Sequence, residues 1–209
     1  MLMKMADIAG IKVVPNALVF LDGKYAYITK RIDRYEGRLY AMEDFCQLSG
    51  RMTADKYRSS YESCGKVIRK YSKNIGLDMT EFYYRLLFCF LTGNSDMHLK
   101  NFSLIEEGPG NRIYSLSAAY DMLPVNVIMP EDKEQMALTL NGKKSNLKKN
   151  DFIALASNLE IREKVAYGMI KQMLKYKKIF KDVIDISYVS DEMKERLKDI
   201  IDVRAEVLS

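Results

Sequence analysis

One short stretch of the chain concentrates the residues that can perform acid–base and metal chemistry. Positions 92–105 read T-G-N-S-D-M-H-L-K-N-F-S-L-I and contain the only histidine of the 209 residues. Asp96 is followed by four residues and then by Asn101. This spacing is typical of phosphoryl-transfer loops, in which the aspartate accepts the proton of the attacking hydroxyl and the asparagine binds Mg²⁺. An isolated match of this kind more often marks a turn stabilised by its polar side chains.

The surroundings of this loop favour the catalytic interpretation. An almost wholly apolar run at 82–91 predicts a buried helix before the loop, and the apolar run at 102–105 predicts a strand after it. Asp121, flanked by apolar residues, lies just beyond the next predicted strand. Short polar loops held between rigid elements commonly carry catalytic side chains. We therefore predict that the loop is catalytic.

Two further polar residues of the loop each keep two interpretations. His98 lies two positions after Asp96, and this order differs from the H-R-D order of common protein kinases. Its side chain is either part of the reaction or structural. Lys100 either neutralises a phosphate or is an exposed loop lysine.

Composition restricts the class of protein. The chain is 48% hydrophobic with a net charge of +5, which allows one core or two small lobes and a mild preference for anionic partners. Cys46, Cys64 and Cys89 form no C-x-x-C pair, and one histidine cannot build a histidine-rich zinc site. Unpaired thiols fit a reducing compartment, and the sequence has neither a signal-peptide core nor a long apolar span. We predict a soluble cytoplasmic protein with no membrane association.

Apolar periodicity and turn residues predict an α+β chain rich in helix, with two small antiparallel hairpins. Helices are predicted at 1–9, 39–48, 54–71, 77–91, 151–159, 161–180 and 191–208. One hairpin is predicted from strands at 13–21 and 24–30, joined by Asp22-Gly23, and the other from strands at 102–105 and 112–116. Asp78 or Thr80 is expected to cap the helix that leads into the loop.

Lysines are frequent between positions 143 and 181 and raise the question of nucleic-acid binding. On the predicted 161–180 helix they share the polar side with Glu163 and Gln172, so a solvated helix face explains them better. We expect no direct nucleic-acid binding. The 209 residues also contain no glycine-rich phosphate loop and no V-A-I-K strand. This is the main difficulty for a complete kinase.

Five blocks of the chain, taken together, carry a family resemblance. They lie at 28–34, 42–47, 93–103, 119–123 and 138–143. In their order and content the chain resembles the C-terminal region of HipA-like serine/threonine kinases, the toxin component of bacterial toxin–antitoxin systems. The resemblance implies a kinase-like C-lobe, the cofactors ATP and Mg²⁺, a protein substrate and a helix-turn-helix antitoxin partner.

The resemblance also implies roles for individual residues. Asp96 would be the general base, and Asn101 and Asp121 would bind Mg²⁺ in a catalytic loop that also contains His98 and Lys100. The remaining implied residues contact the nucleotide: Lys30, Arg31 and Ile32 as the hinge beside the adenine, Asp33 and Gln47 near the ribose, and Tyr120. Ile32 departs from the family, which usually has a phenylalanine-like residue there.

Members of this family carry the phosphate-binding loop, the ATP lysine and a glutamate upstream of the segment that this chain matches. We therefore expect 1–34 to form a remnant of the N-lobe helix with a hairpin and the hinge, and 35–209 a helical C-lobe, with most of the N-lobe absent. The leading hypothesis is an ATP-dependent kinase of the HipA type, or its catalytic half needing an N-lobe from a separate protein. An apolar hairpin face around 13–21 should then be exposed. The alternative is a non-catalytic module that engages an antitoxin or a substrate.

Overall fold

The computed structural model describes all residues from 1 to 209, and helix is their most frequent regular structure. The helices are α1 (Leu2–Ile8), α2 (Phe45–Leu48), α3 (Tyr61–Tyr71), α4 (Ile75–Leu91), α5 (Val125–Ile128), α6 (Lys149–Asn158), α7 (Glu163–Lys175), α8 (Lys177–Asp185) and α9 (Asp191–Leu208). The strands are β1 (Asn16–Leu21), β2 (Lys24–Thr29), β3 (Arg34–Tyr35), β4 (Arg38–Leu39), β5 (Met42–Asp44), β6 (Ser103–Glu106) and β7 (Tyr114–Leu116). The predicted α+β, helix-rich class is confirmed.

Helix α4 lies at the centre of the core. Its side chains from Leu86 to Leu91 are inaccessible to solvent, as a helix that is apolar on every side requires. It packs against α3, α7, α9 and β7. The core around it extends from Leu2 in α1 to Leu208 in α9. Because α4 is enclosed on all sides, its C-terminal end is a rigid support for the loop that follows.

Three small antiparallel sheets complete the fold. Strands β5, β6 and β7 form one sheet in the order β5-β6-β7, with Met42 opposite Ile105 and Leu104 opposite Leu116. Strands β3 and β4 form a short ribbon. The predicted hairpin around Asp22-Gly23 is confirmed as β1 and β2, and it stands away from the core with most of its side chains exposed.

Two predicted helices between 39 and 71 are wrong in part. Residues 39–48 form a strand and then a single helical turn, because β5 pairs with β6 and this long-range pairing overrides the local pattern. Residues 54–71 are α-helical only from Tyr61, since the Ser60 side chain accepts a hydrogen bond from the Ser63 N–H and starts the helix there. A 3₁₀ turn, Thr53–Asp55, precedes it.

The predicted cap of α4 is also wrong. The buried Asp78 carboxylate accepts hydrogen bonds from Ser72 Oγ at 2.5 Å and from the Leu116 N–H at 2.7 Å, so it joins α4 to β7. Thr80 Oγ1 donates to carbonyls of its own helix. The predicted 161–180 helix ends at Lys175, and α8 starts at Lys177 after a bend.

Helix α9, predicted over 191–208 and confirmed there, returns the end of the chain to the centre of the molecule. The buried Arg204 guanidinium donates to the Phe90 carbonyl and to Asn126 Oδ1, each at 2.6 Å. Burial lowers the pKa of Arg204 to about 10. The last turn of α4 is therefore held by α9. No helix combines the length and the apolar character needed to cross a bilayer.

Candidate active site

The loop after α4 begins with a glycine whose conformation the site requires. Gly93 has a φ of +74°, and a Cβ at this position would lie 3.3 Å from Ile200 Cγ2 of α9. Any other residue would be strained and crowded here. The chain turns sharply at this point, and the Asn94 N–H donates to the Cys89 carbonyl at 2.9 Å. The turn directs 94–101 away from the buried end of α4.

Asp96 lies partly exposed on this turn. Its Oδ1 accepts a hydrogen bond from the Tyr57 hydroxyl at 2.6 Å, while its N–H donates to Asn94 Oδ1 at 3.3 Å. Its carbonyl accepts from the His98 N–H at 2.8 Å. Sequence reasoning missed Tyr57, since 39 residues separate it from Asp96 and no local pattern connects them.

Asn101 and Asp121 lie in direct contact, although 20 positions separate them in the sequence. Asn101 ends the 3₁₀ turn Leu99–Asn101, and its Nδ2 donates to Asp121 Oδ2 at 3.0 Å. Its Oδ1 is buried and has no hydrogen-bond partner. Asp121 is exposed and has a φ of +54°, a left-handed conformation that aspartate tolerates better than most residues.

These two side chains fit a Mg²⁺ ion. An unpartnered amide oxygen and a carboxylate are both hard oxygen ligands, and Mg²⁺ at a nucleotide site typically takes only one or two from the protein. No group of three or more histidine, cysteine or acidic side chains is arranged to hold a metal. The remaining ligands would be phosphates and water.

His98 lies beneath the exposed part of the loop. Its side chain is 6% exposed, its Nδ1 has no partner, and its ring meets the Tyr57 ring edge-on at a centroid distance of 4.9 Å. Burial lowers the pKa of His98, with the charge of Asp96 acting in the opposite direction. His98 therefore packs under Tyr57 as a neutral imidazole near pH 7, and a part in the reaction stays a prediction.

Lys100 lies near the end of the loop, and Tyr120 contacts the loop there. Lys100 Nζ reaches Thr53 Oγ1 at 3.3 Å. The Tyr120 hydroxyl donates to the Lys100 carbonyl at 3.0 Å and lies 2.6 Å from Ser103 Oγ. Burial raises the pKa of Tyr120 to about 12. Tyr120, the residue before Asp121, therefore connects this segment to the loop at Lys100 and to β6 at Ser103.

The predicted hinge residues follow β2. The Lys30 N–H donates to the Pro15 carbonyl at 2.9 Å, and Ile32 is half-buried against the core. Asp33 receives two hydrogen bonds from the Arg31 guanidinium, at 2.9 and 2.5 Å, and these lower the pKa of Asp33. No side-chain hydrogen bond joins this segment to 92–101.

Gln47 is engaged in a capping interaction. Its Oε1 accepts from the Asp44 N–H at 3.0 Å, and its own N–H donates to Asp44 Oδ1 at 2.8 Å. Helix α2 is attached to the end of the catalytic loop through the Phe45 N–H, which donates to the Phe102 carbonyl at 2.9 Å. The structure therefore places Gln47 on an element beside the loop, with its side-chain oxygen bonded and its Nε2 free.

Strand β2 contributes Tyr27, which sequence reasoning missed. Burial, together with the charge of the Asp121 carboxylate, raises the pKa of Tyr27. Alternation of apolar and polar residues gave no reason to single out this tyrosine among the aromatic residues of β1 and β2.

Residues 1–179 match the family model of the HipA-like C-terminal domain, and the chain belongs to this family. It is 31% identical over 205 residues to “Putative kinase Y4dM” of Sinorhizobium fredii, covering 97% of this chain and 48% of that protein. A protein of Haemophilus influenzae named “Putative kinase” is 31% identical over 132 residues, covering 56% of this chain and 37% of that protein. The chain spans about half the length of Y4dM, or less for the other relative.

Solved structures define the fold. HipA of Shewanella oneidensis, solved with HipB and operator DNA, matches with a TM-score of 0.84 at 17% identity, over 98% of this chain and 54% of that one. The proinflammatory kinase CtkA of Helicobacter pylori matches with a TM-score of 0.67 at 16% identity, over 99% of this chain and 77% of that one. The chain has the fold of a kinase-like C-lobe, as predicted.

Proposed function

We propose that this chain is the catalytic C-lobe of an ATP-dependent protein serine/threonine kinase of the HipA type. The observation that carries the proposal is the meeting of Asn101 and Asp121 at 3.0 Å beside the loop that presents Asp96. A base and two oxygen ligands on one rigid loop system are the C-lobe half of a phosphoryl-transfer site. Membership of the HipA-like family supports it.

Each residue of the site has a separate proposed role in phosphoryl transfer. Asp96 accepts the proton of the substrate hydroxyl, and Asn101 Oδ1 and the Asp121 carboxylate bind Mg²⁺. When bound, Mg²⁺ neutralises charge on the phosphates. The backbone from Lys30 to Ile32 meets the adenine.

The remaining assignments concern the nucleotide and the phosphates. The ribose lies near Asp33 and Gln47, and Tyr120 borders the nucleotide. Asp33 already bonds to Arg31, so it meets the ribose through the lone pairs that remain free on its carboxylate. Gln47 bonds to Asp44 through its side-chain oxygen, so its Nε2 donors stay free for the ribose. Lys100 reaches a transferring phosphate only by leaving Thr53.

An N-lobe from outside these 209 residues completes the site. In this division 1–34 are the N-lobe helix, hairpin and hinge, and 35–209 the C-lobe. The hairpin supports this arrangement, since Phe20, Leu21 and Tyr25 are more than half exposed. Exposed apolar patches of this kind mark interaction surfaces.

Partners and compartment extend the proposal. The Shewanella HipA structure contains HipB and operator DNA, and we propose a helix-turn-helix antitoxin for this chain as well. We propose that the antitoxin, and not this chain, contacts nucleic acid. Several of the lysines between 143 and 181 form ion pairs within the chain. The pairs are Lys143 with Asp151, Lys144 with Glu134, and Lys177 and Lys181 with Asp202. Three buried, unpaired cysteines support a cytoplasmic location.

A non-catalytic binding module is the second candidate. It is favoured by one observation, the lack of a glycine-rich phosphate loop within the 209 residues. Such a module would engage an antitoxin or a substrate without transferring phosphate. The buried, unpartnered Asn101 Oδ1 beside Asp121 argues against it, because a structural module has no use for an oxygen left without a partner.

The test is substitution of the base. We expect Asp96→Asn to bind ATP as the wild type does and to lose phosphotransfer by about 10²–10⁴-fold, since a general base acts in the transition state. Transfer of label from ATP to protein and calorimetric ATP binding are measured on both variants with the N-lobe present. If Asp96→Asn retains most of the phosphotransfer activity, Asp96 only stabilises the turn and is not the base. If the wild type transfers no phosphate, the binding module is the better assignment.

A further inference from the structure

The segment from Thr53 to Tyr57 is attached to the catalytic loop at three points. Thr53 Oγ1 accepts from Lys100 Nζ at 3.3 Å, and the Lys56 carbonyl accepts from the Leu99 N–H at 3.2 Å. The third contact is the shortest, from the Tyr57 hydroxyl to Asp96 Oδ1 at 2.6 Å. Of the three, only this one reaches a carboxylate placed in the reaction.

We propose that Tyr57 is the positioning residue of the base: its hydroxyl holds Asp96 Oδ1 and leaves Asp96 Oδ2 free to accept the substrate proton. The inference rests on the proposed function and deepens it. It concerns a side chain that lies outside the catalytic loop and that no sequence pattern indicated.

The two carboxylate oxygens of Asp96 differ in their surroundings. Oδ1 is bonded to Tyr57, whereas Oδ2 makes no hydrogen bond within the chain and is not among the buried unpartnered atoms. A carboxylate with one oxygen fixed and the other open has a defined orientation toward an incoming hydroxyl. General-base catalysis depends on such alignment, and a misplacement of about 1 Å can cost about 10²-fold in rate.

The tyrosine itself is held in place. Its ring meets the buried His98 ring edge-on at a centroid distance of 4.9 Å. The Lys56 ammonium lies 4.9 Å from the centroid of the same tyrosine ring. Burial and the hydrogen bond to Asp96 raise the pKa of Tyr57 to about 12, so the hydroxyl remains a donor at neutral pH. The donor is therefore present and oriented before any substrate arrives.

The same contact has a second interpretation, in which Tyr57 covers the base and prevents substrate from reaching it. The free Oδ2 favours positioning, because a cover would have to occupy both oxygens or shield them from solvent. The two interpretations predict opposite changes in rate when the hydroxyl is removed.

Tyr57→Phe tests the proposal, because it keeps the ring against His98 and removes only the donor. With the N-lobe present, we expect kcat to fall by about 10-fold or more while KM for ATP and the melting temperature stay unchanged. NMR three-bond couplings to the Asp96 β-protons report the side-chain rotamer without requiring activity. We expect one χ1 rotamer in the wild type and averaged couplings in Tyr57→Phe.

Tyr61→Phe is the matched control. The Tyr61 hydroxyl donates to the Met97 carbonyl at 3.0 Å, so it supports the same loop from below without contacting Asp96. We expect this variant to lower the melting temperature and to leave the Asp96 couplings of the wild type in place. It separates general support of the loop from orientation of the base.

Several results would overturn the proposal: a single Asp96 rotamer in Tyr57→Phe, an unchanged kcat, a kcat that rises, or a loss of melting temperature equal to that of Tyr61→Phe. A rise would identify Tyr57 as a cover. If the wild type transfers no phosphate, the proposed function fails, and the couplings alone still decide whether Tyr57 orients Asp96.

Discussion

Asp121 illustrates how a single residue carries functional information. It is exposed, it has a left-handed backbone, and it accepts a hydrogen bond from an asparagine whose own oxygen lacks a partner. The left-handed backbone is not distinctive by itself, because six other non-glycine residues of the chain share it and aspartate tolerates it. The distinctive feature is the buried, unpartnered Asn101 oxygen beside an exposed carboxylate, a pair that a bound cation would explain.

We predict that Asp121→Asn abolishes Mg²⁺-dependent nucleotide binding without lowering the melting temperature. Asparagine tolerates the left-handed conformation and preserves the shape, so the change removes mainly the charge that Mg²⁺ requires. Calorimetry with Mg²⁺ and ATP measures the affinity. Asp22→Asn is the control, because Asp22 also has a positive φ, +49°, but lies at the tip of the β1–β2 hairpin. Equal affinity in both variants would remove Asp121 from the metal site.

We predict that His98 makes the fold sensitive to acid. Its pKa is lowered by burial in the folded chain and lies near 6.5 when unfolded. The unfolded chain therefore takes up the proton first, so the free energy of unfolding falls as the pH drops below about 6.5. Urea unfolding of wild type and His98→Asn from neutral to acidic pH isolates this contribution. Parallel curves for the two proteins would show that His98 is already protonated or already solvated.

At the scale of elements, a buried carboxylate connects α4 to β7. Asp78 is buried and bonds to both Ser72 and the Leu116 N–H. We predict that Asp78→Ala lowers the free energy of unfolding by about 1–3 kcal/mol, because it leaves buried donors unpaired. Thr80→Ala is the control, since Thr80 bonds only within its own helix, and we expect little change there. Urea unfolding decides, and equal stability of the two variants would contradict the assignment.

Elements with strong local signals could be predicted from the sequence. Helix α9 has a capping serine and a periodic apolar stripe, and Asp22-Gly23 is a preferred hairpin turn, so both were placed correctly. Strand β5 could not be placed, because three residues carry no usable period and its identity comes from pairing with β6, about 60 positions away.

The same distinction applies to the site. Asp96, Asn101 and Asp121 were predicted because their spacing is typical of phosphoryl-transfer loops, and the structure places Asn101 and Asp121 in contact. Tyr57 and Tyr27 approach the site only through tertiary packing. Asp78, which the sequence suggested as a cap, serves a buried connection that requires knowing where β7 lies.

At the scale of the whole molecule, the central helix and the β1–β2 hairpin differ in how far they are exposed to solvent. The core encloses the C-terminal half of α4, whereas the β1–β2 hairpin exposes Phe20, Leu21 and Tyr25 at its tip, away from the predicted hinge. Burial and the charge of Asp121 raise the pKa of Tyr27 in this hairpin. We propose that an N-lobe packs against the exposed hairpin and closes over the proposed metal site. This arrangement would supply the phosphate contacts that these 209 residues lack.

The measurement that tests the central claim most directly is phosphotransfer from radiolabelled ATP to protein, with this chain alone and then with an N-lobe protein, such as one encoded immediately upstream. Loss of one preorganised donor typically costs about 10²–10³-fold in rate, so the chain alone should transfer almost nothing. We predict that adding the N-lobe restores transfer, and that Asp96→Asn abolishes it again. Robust transfer by the chain alone would contradict the dependence on an N-lobe. No transfer in either mixture would contradict the assignment as a kinase.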